Sequence, residues 1–292
     1  MNDLNIKQNI PESLSLLKLQ RYKYNIISIF ATVNFIISVI IPIILSFIGL
    51  VPMQNNFVQY INYLGLICTF FSLWLDFKLK KLKEDASQIQ YLFDINLFGM
   101  RQNPLISKLS LNELLVAANR SKIQKLQGVE NWYSIGDNLN KIDAIYSCQK
   151  QNIRWDKRLR KKYLSAIVVV CIIAILGIIS VAILVNLPFN TLWSYIFLLV
   201  PIISYCATFI FSSISNIKEQ DNLLNLFQKY NNTKKLTLKK LESLEEKIYY
   251  YRKELVKIPN WFFLIFKSSM QKDADAYSKF ESDTYSKSDK KL

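Results

Sequence analysis

No histidine occurs anywhere in the sequence, which removes the commonest general base and the commonest metal ligand together. Glycine is scarce, six residues in 292, and none of the six lies in a phosphate-cradling loop or a nucleophile elbow. The four cysteines form no Cys-x-x-Cys pair, so a zinc-ribbon type of site has no ligand set. Three of them, Cys68, Cys171 and Cys206, fall in the charge-free blocks described next, with only Cys148 outside, and no disulfide framework is expected. No catalytic constellation is left. The chain is expected not to be an enzyme and to carry neither metal nor cofactor.

Charge is missing too, but only locally. Charged residues make up 20% of the chain, yet none occurs from Tyr24 to Leu75 or from Leu164 to Ile217. Each block is too long for one crossing of a bilayer core, which takes roughly 20 helical residues. Each therefore reads as a hairpin of two spans: Ile26 to Leu50 and Phe57 to Phe77, split by "VPMQNN", then Leu164 to Val185 and Leu192 to Ser213, split by "NLPFN". The splitting loops supply the prolines and asparagines of tight turns. The expected fold is an all-α membrane protein with four transmembrane helices in two hairpins and a helical cytoplasmic domain made from the central insert and the C-terminal region.

Lysines and arginines flank the spans on one side only. Lys18, Arg21 and Lys23 precede the first span, Lys78 to Lys83 follow the second, Arg154 to Lys162 precede the third and Lys218 follows the fourth, whereas both hairpin loops are uncharged. The positive-inside rule then puts both termini and the insert in the cytoplasm. The resulting order is a cytoplasmic segment (1–25), hairpin 1 (26–77), a basic insert that is a candidate sensor (78–163), hairpin 2 (164–213), a helical or coiled-coil region (214–270) and a polar tail (271–292). The insert holds 17 Lys and Arg against 8 Asp and Glu. Membrane topology and anionic lipid alone are one account of that excess.

In the insert, Leu111, Leu114, Leu115, Ala118, Ile123 and Leu126 keep a helical period, with Ser110 as N-cap and Glu113 completing a capping box. From Leu139 onward Ile142, Ile145, Gln149, Asn152, Trp155, Asp156, Leu159 and Tyr163 are spaced by three and four, with no breaker before the third span. A single helix from Leu139 to Val185 follows, and the fourth span should likewise extend inward. Leu241, Leu244, Ile248, Tyr251 and Leu255 form a seam of about two heptads, suited equally to packing within the chain and to contact between protomers. The apolar "IPNWFFLIFKSS" is too short to span, so it packs on the bundle or lies in the interface.

The stretch "CQKQNIRWDKRLRKKY", Cys148 to Tyr163, concentrates six net positive charges at the door of the third span. Arg154 and Arg158 share one helical face, and Asp156 is spaced to pair with Arg160. Gln149, Asn152, Trp155 and Asp156 lie on a neighbouring face. Two accounts stay open: these residues pack inside the bundle while the cations reach lipid, or arginines and a stackable indole face a phosphate-bearing base.

The run Cys148, Gln149, Asn152, Trp155, Asp156, Leu159, Arg160 and Tyr163, together with "FDINLFGMRQNP" from Phe93 to Pro104 and the order of spans, resembles the SMODS-associated four-transmembrane family of pore-forming effectors. The likeness covers at least residues 20 to 265. The family pattern often has a proline just after Leu-Phe-Gly, where this chain has Met100 and Arg101. The resemblance implies a role in bacterial antiphage defence, in which a cyclic oligonucleotide makes the protein oligomerise and open or disrupt the inner membrane, so that the infected cell dies or stops growing.

The candidate ligand-binding residues are then Gln149, Asn152, Arg154, Trp155, Asp156, Arg158, Arg101 and Asn103. Candidate pore-lining residues are Ser204, Thr208, Ser212 and Asn216, which recur every four positions in the fourth span; ordinary hydrogen bonding between membrane helices is the competing explanation. Expected partners are membrane lipids, a cyclic oligonucleotide and further copies of the chain, with no DNA or RNA polymer. A constitutive channel or small transporter, and a membrane-anchored interaction protein, are the alternative readings.

Overall fold

Pro11 has the fixed φ that suits a first helical turn, and it opens a helix that runs from the charged N-terminal segment straight into the first charge-free block. The computed structural model describes residues 3–49, 55–106, 109–136, 139–184, 189–232, 236–262 and 264–266. Among them the regular structure is all helical: α1 (Leu4–Lys7), α2 (Pro11–Phe35), a π-helical turn (Ile36–Ile40), α3 (Ile41–Gly49), α4 (Asn55–Phe98), α5 (Leu111–Ala118), α6 (Ser121–Gln124), α7 (Lys141–Leu184), α8 (Phe189–Asn232) and α9 (Leu238–Glu254). Pro11–Leu45 and Leu199–Tyr230 are, among the described residues, long and apolar enough to cross a membrane. The charge-free part of α4 packs on α2, and that of α7 on α8. Leu50, Val185 and most of the two expected turns lie outside the described residues, as does the polar tail.

The helix expected from Leu139 to Val185 is present as α7, and α8 continues beyond the charge-free block to Asn232, as anticipated. Two boundaries differ. The insert does not begin at Lys78 as a separate unit, because α4 continues unbroken to Phe98; no glycine interrupts it after Gly65 and no proline before Pro104. It stops at Gly99, whose φ of +65° suits a residue without a Cβ, and Met100 N donates back to Ile95 O at 3.0 Å. The helix predicted through Leu126 breaks after α5, although its capping box is formed: Glu113 N donates to Ser110 Oγ at 3.3 Å and Ser110 N to Glu113 Oε2 at 3.1 Å.

The charged half has one continuous core. Leu16 and Leu17 from α2, Ile89, Leu92, Phe93 and Phe98 from α4, Ile145 and Ile153 from α7, Phe227 from α8 and Leu241, Leu244, Ile248 and Tyr251 from α9 all pack in it. The N-terminal segment is thus part of this domain, which the insert and C-terminal region do not build alone. The end of α4 is its axis, buried on every side from Ala86 to Ile95. The seam of α9 faces inward: Leu241, Leu244, Ile248 and Tyr251 are buried against helices of the same chain, so it is not available to another protomer. After α9, Ile258 and Phe262 dock on Leu159, Tyr163, Ile202 and Phe209 of α7 and α8, while Trp261, Leu264 and Ile265 face outward.

In the apolar half, α2 and α4 are joined by polar side chains. Asn34 Nδ2 donates to Asp76 Oδ1 at 2.8 Å, and Ser38, inside the π-helical turn, has its Oγ 2.8 Å from Ser72 Oγ. Such bonds between membrane helices average about 0.6 kcal/mol each. A disulfide links Cys171 of α7 to Cys206 of α8, against the expectation of no disulfide. The pairing depends on how two helices are turned toward each other, which spacing along either one does not reveal.

Candidate functional site

Where α4, α7 and α9 meet in the charged half, Arg252 is buried with two carboxylates. Its Nη1 lies 2.8 Å from Asp94 Oδ2 and 3.3 Å from Glu245 Oε1. Glu245 and Arg252 are seven residues apart on α9, hence on one face, and Asp94 belongs to the buried axis of α4. Gln149 of α7 completes the group, its Nε2 donating to Glu245 Oε2 at 2.8 Å and to Leu241 O at 3.0 Å. Tyr133 OH donates to Asp94 Oδ1 at 2.6 Å and accepts from Asn152 Nδ2 at 2.9 Å. Gln8 then holds Tyr133 through both backbone groups, at 2.9 and 3.2 Å. One polar network therefore ties the N-terminal segment, α4, the loop before α7, α7 itself and α9.

The electrostatics are those of charge enclosed in protein. Burial, with the Asp94 carboxylate adding to it, pushes Glu245 up to about 8. Burial opposes the charge on Arg252, but Asp94 and Glu245 outweigh it and raise its pKa further. Arg252 Nη2 and Gln149 Oε1 are buried without a hydrogen-bond partner. Polar atoms left unpaired at such depth cost stability.

One to two turns nearer the apolar half is a second junction. Arg160 donates from Nε and Nη2 to Asp156 Oδ2 at 2.9 and 2.7 Å, the pair expected from spacing, and from Nη1 to Val256 O at 2.7 Å. Tyr251 OH also donates to Asp156 Oδ2, at 3.1 Å. With 3% exposure, Arg160 is no simple lipid-facing topology charge, although sequence alone reads it as one; it clamps α7 to the chain leaving α9. Nearby Lys157 pairs with Asp221 of α8.

The eight ligand candidates thus separate into groups. Gln149 and Asn152 belong to the Asp94 network and Asp156 to the Arg160 junction. Arg154 is half-buried and Arg158 exposed, on the other side of α7, and the Trp155 side chain lies outside what the structure describes. Arg101 and Asn103 dock on α9: Arg101 N donates to Glu242 Oε1 and Asn103 Nδ2 to Glu246 Oε1, both at 3.0 Å. The Arg101 bond needs a backbone N–H that a proline in this turn would lack. Among the pore candidates, Thr208 is exposed on α8, Ser204 and Ser212 are half-buried, and Asn216 is buried. Asn216 accepts from Val256 N at 2.8 Å and donates to Glu254 O at 3.3 Å, so it secures the exit from α9 rather than lining a lumen in this arrangement.

Asp94, Tyr133, Glu245 and Arg252 were not among the sequence candidates. Two signals bore on them: Asp94 sits inside the quoted Phe-Asp element, and Glu245 and Arg252 share the face of α9 that carries Leu241 and Ile248. Charge on the apolar face of a helix is a mark of a buried pair.

A sequence model of the SMODS-associating 4TM effector domain matches residues 2–279 of the chain. A protein of Bacillus cereus strain VD146, described as a probable CBASS effector molecule, is 25% identical over 278 residues, which cover 88% of this chain and 90% of that one. No solved structure matches.

Proposed function

This chain belongs to the SMODS-associating 4TM effector domain family, and from that premise we propose that it is a membrane effector of bacterial antiphage defence, in which a cyclic oligonucleotide makes copies of the chain assemble and open or disrupt the inner membrane. The match across residues 2–279 carries this reading, and the relative described as a probable CBASS effector supports it. In this reading the two charge-free blocks form four spans in two hairpins, both termini are cytoplasmic, and the chain performs no catalysis.

The architecture supports a mechanism. α4 and α7 run without a proline from one half into the other, and α8 does so with Pro201 inside it, so in this reading a change at one end is felt at the other. The Asp94, Glu245 and Arg252 network holds α4, α7 and α9 in one arrangement, and its unsatisfied atoms leave room for a second. Arg154 and Arg158 are the residues for the phosphates of the ligand, with Arg101, Asn103 and Trp155 as further candidates; Gln149, Asn152 and Asp156 transmit the change. In an assembly, Ser204, Thr208 and Ser212 face the lumen.

Moving an equilibrium from 1:99 to 99:1 takes about 5.5 kcal/mol of differential affinity, which several ligands on one oligomer can supply. The test is dye leakage from liposomes holding the purified protein, against a panel of cyclic di- and trinucleotides. Leakage with one or a few of them is expected, together with toxicity in cells only when the cognate nucleotide synthetase is co-expressed. No leakage and no binding with any would overturn the reading; leakage without ligand would favour a constitutive channel.

A further inference from the structure

A groove of about 500 Å³ runs between α2 and the segment after α9, with Asn25, Ser28, Ile29 and Val33 on one side and Asn260 and Trp261 on the other. We infer that it is a binding site for one anionic phospholipid of the leaflet next to the charged half. The four α2 positions share a helical face, and the groove changes character along it. At one end Asn260 N donates to Ser28 Oγ at 2.9 Å and Asn260 Nδ2 to Asn25 Oδ1 at 3.2 Å. These bonds dock the segment on α2 and leave Asn25 Nδ2 as a donor for a phosphate or ester oxygen. Beside and beyond these bonds Ile29 is 62% exposed, Trp261 45% and Val33, one turn farther along α2, 37%, a poor surface to leave in water and a suitable one for an acyl chain.

That gradient coincides with the one along the chain. Arg21 and Lys23 lie just before Asn25, and no charge follows until Asp76. The groove therefore straddles the level at which headgroups give way to hydrocarbon, where half-exposed tryptophans belong.

Charge decides the headgroup. Lys257 sits 4.7 Å from the centre of the Tyr24 ring, beside Asn25 in sequence, and precedes Asn260 by three residues. Burial lowers its pKa to about 8, and Arg160 pushes the same way. Asp156, the carboxylate that offsets this, is already taken by Arg160 and Tyr251. Lys257 borders the groove's polar residues in sequence without lining the groove itself; in this inference a phosphate at the polar end answers its charge, as basic pockets on the cytoplasmic side of membrane helices do for lipid headgroups.

The test is native mass spectrometry of the full chain released from nanodiscs containing equal phosphatidylglycerol and phosphatidylcholine. We expect one phosphatidylglycerol retained per protomer, with Lys257→Gln weakening retention at least fivefold and Lys78→Gln, at another lipid-facing site, leaving it unchanged. In vesicles with brominated acyl chains, the tryptophan quenching lost in Trp261→Phe should be stronger with phosphatidylglycerol than with phosphatidylcholine; this readout is independent of the lysine variants. Equal retention of both lipids, or equal effects of the two lysine substitutions, would mean ordinary annular lipid and overturn the inference. Displacement by millimolar inorganic phosphate would mark an ion site and overturn it as well. None of these outcomes depends on a cyclic nucleotide.

Discussion

Arg252 of α9 donates to Asp94 of α4 at 2.8 Å across 158 residues of sequence, and both side chains are buried. Removing one member of such a pair strands a charge inside the protein, which costs about 3 to 5 kcal/mol, whereas removing both with similar volume costs far less. Arg252→Met should therefore lower the unfolding free energy in detergent by about 3 kcal/mol or more, and Asp94→Asn combined with Arg252→Met should recover a large part of it. Chemical denaturation of the singles and the double gives the coupling.

A chain without histidine has little to titrate between pH 5 and 8. Glu245 and Lys257 both come to about 8 in the folded chain, but the Lys257 value is lowered from 10.5 and acts above that pH, so Glu245, ordinarily 4.5, is the group whose two values span the range. The folded state holds the proton more tightly, so this contribution is fully present below pH 4.5 and is lost as pH rises to about 8. Stability should fall across that window, and Glu245→Gln, which mimics the protonated acid, should flatten the slope. Thermal melts from pH 5 to 8.5 check it.

Arg154→Ala with Arg158→Ala should weaken binding of the activating nucleotide at least tenfold, about 1.4 kcal/mol, more than any accompanying shift of the melting transition accounts for. Calorimetric titration measures the first quantity and a thermal melt the second. Unchanged affinity would leave the two arginines as topology charges only.

Replacing Ser204, Thr208 and Ser212 together by leucine should abolish ligand-triggered leakage while insertion and assembly persist. Asn216→Leu should act differently, because it breaks the bonds to Val256 N and Glu254 O and so loosens the end of α9. Limited proteolysis near residue 256 separates the two effects.

Thiol labelling of denatured, unreduced protein should modify Cys68 and Cys148 alone, and all four cysteines after reduction. Four labels without reduction would remove the link between α7 and α8.

The helices that could be read from sequence were those with a period and no breaker. The three-four spacing from Ile142 to Tyr163 gives α7, and Ser110 with Glu113 gives the start of α5. The end of α4 escaped because "ASQIQYLFDI" is buried on all sides, and a helix without a solvent face has no amphipathic period to find. Glu245 and Arg252 escaped because glutamate and arginine beside a leucine seam look like a solvated flank. Gln149, Asn152 and Asp156 were visible as odd residues for a surface; what they touch depends on α4 and α9, which no spacing within α7 encodes.

The equal lengths of α4, α7 and α8, 44 residues each, have a mechanical consequence. At about 1.5 Å per residue each is about 66 Å long, more than twice the thickness of a bilayer's hydrocarbon, and α4 and α7, which hold no proline, are rods of that length. A tilt of about 5° about one tip carries the other through about 6 Å. Leverage of that size turns a side-chain rearrangement at one extremity into a displacement wider than a water molecule at the other. It also makes the protein sensitive to phase: one residue inserted between Asp156 and Tyr163 would rotate everything beyond it by about 100°, disconnecting the two extremities while leaving every rod intact.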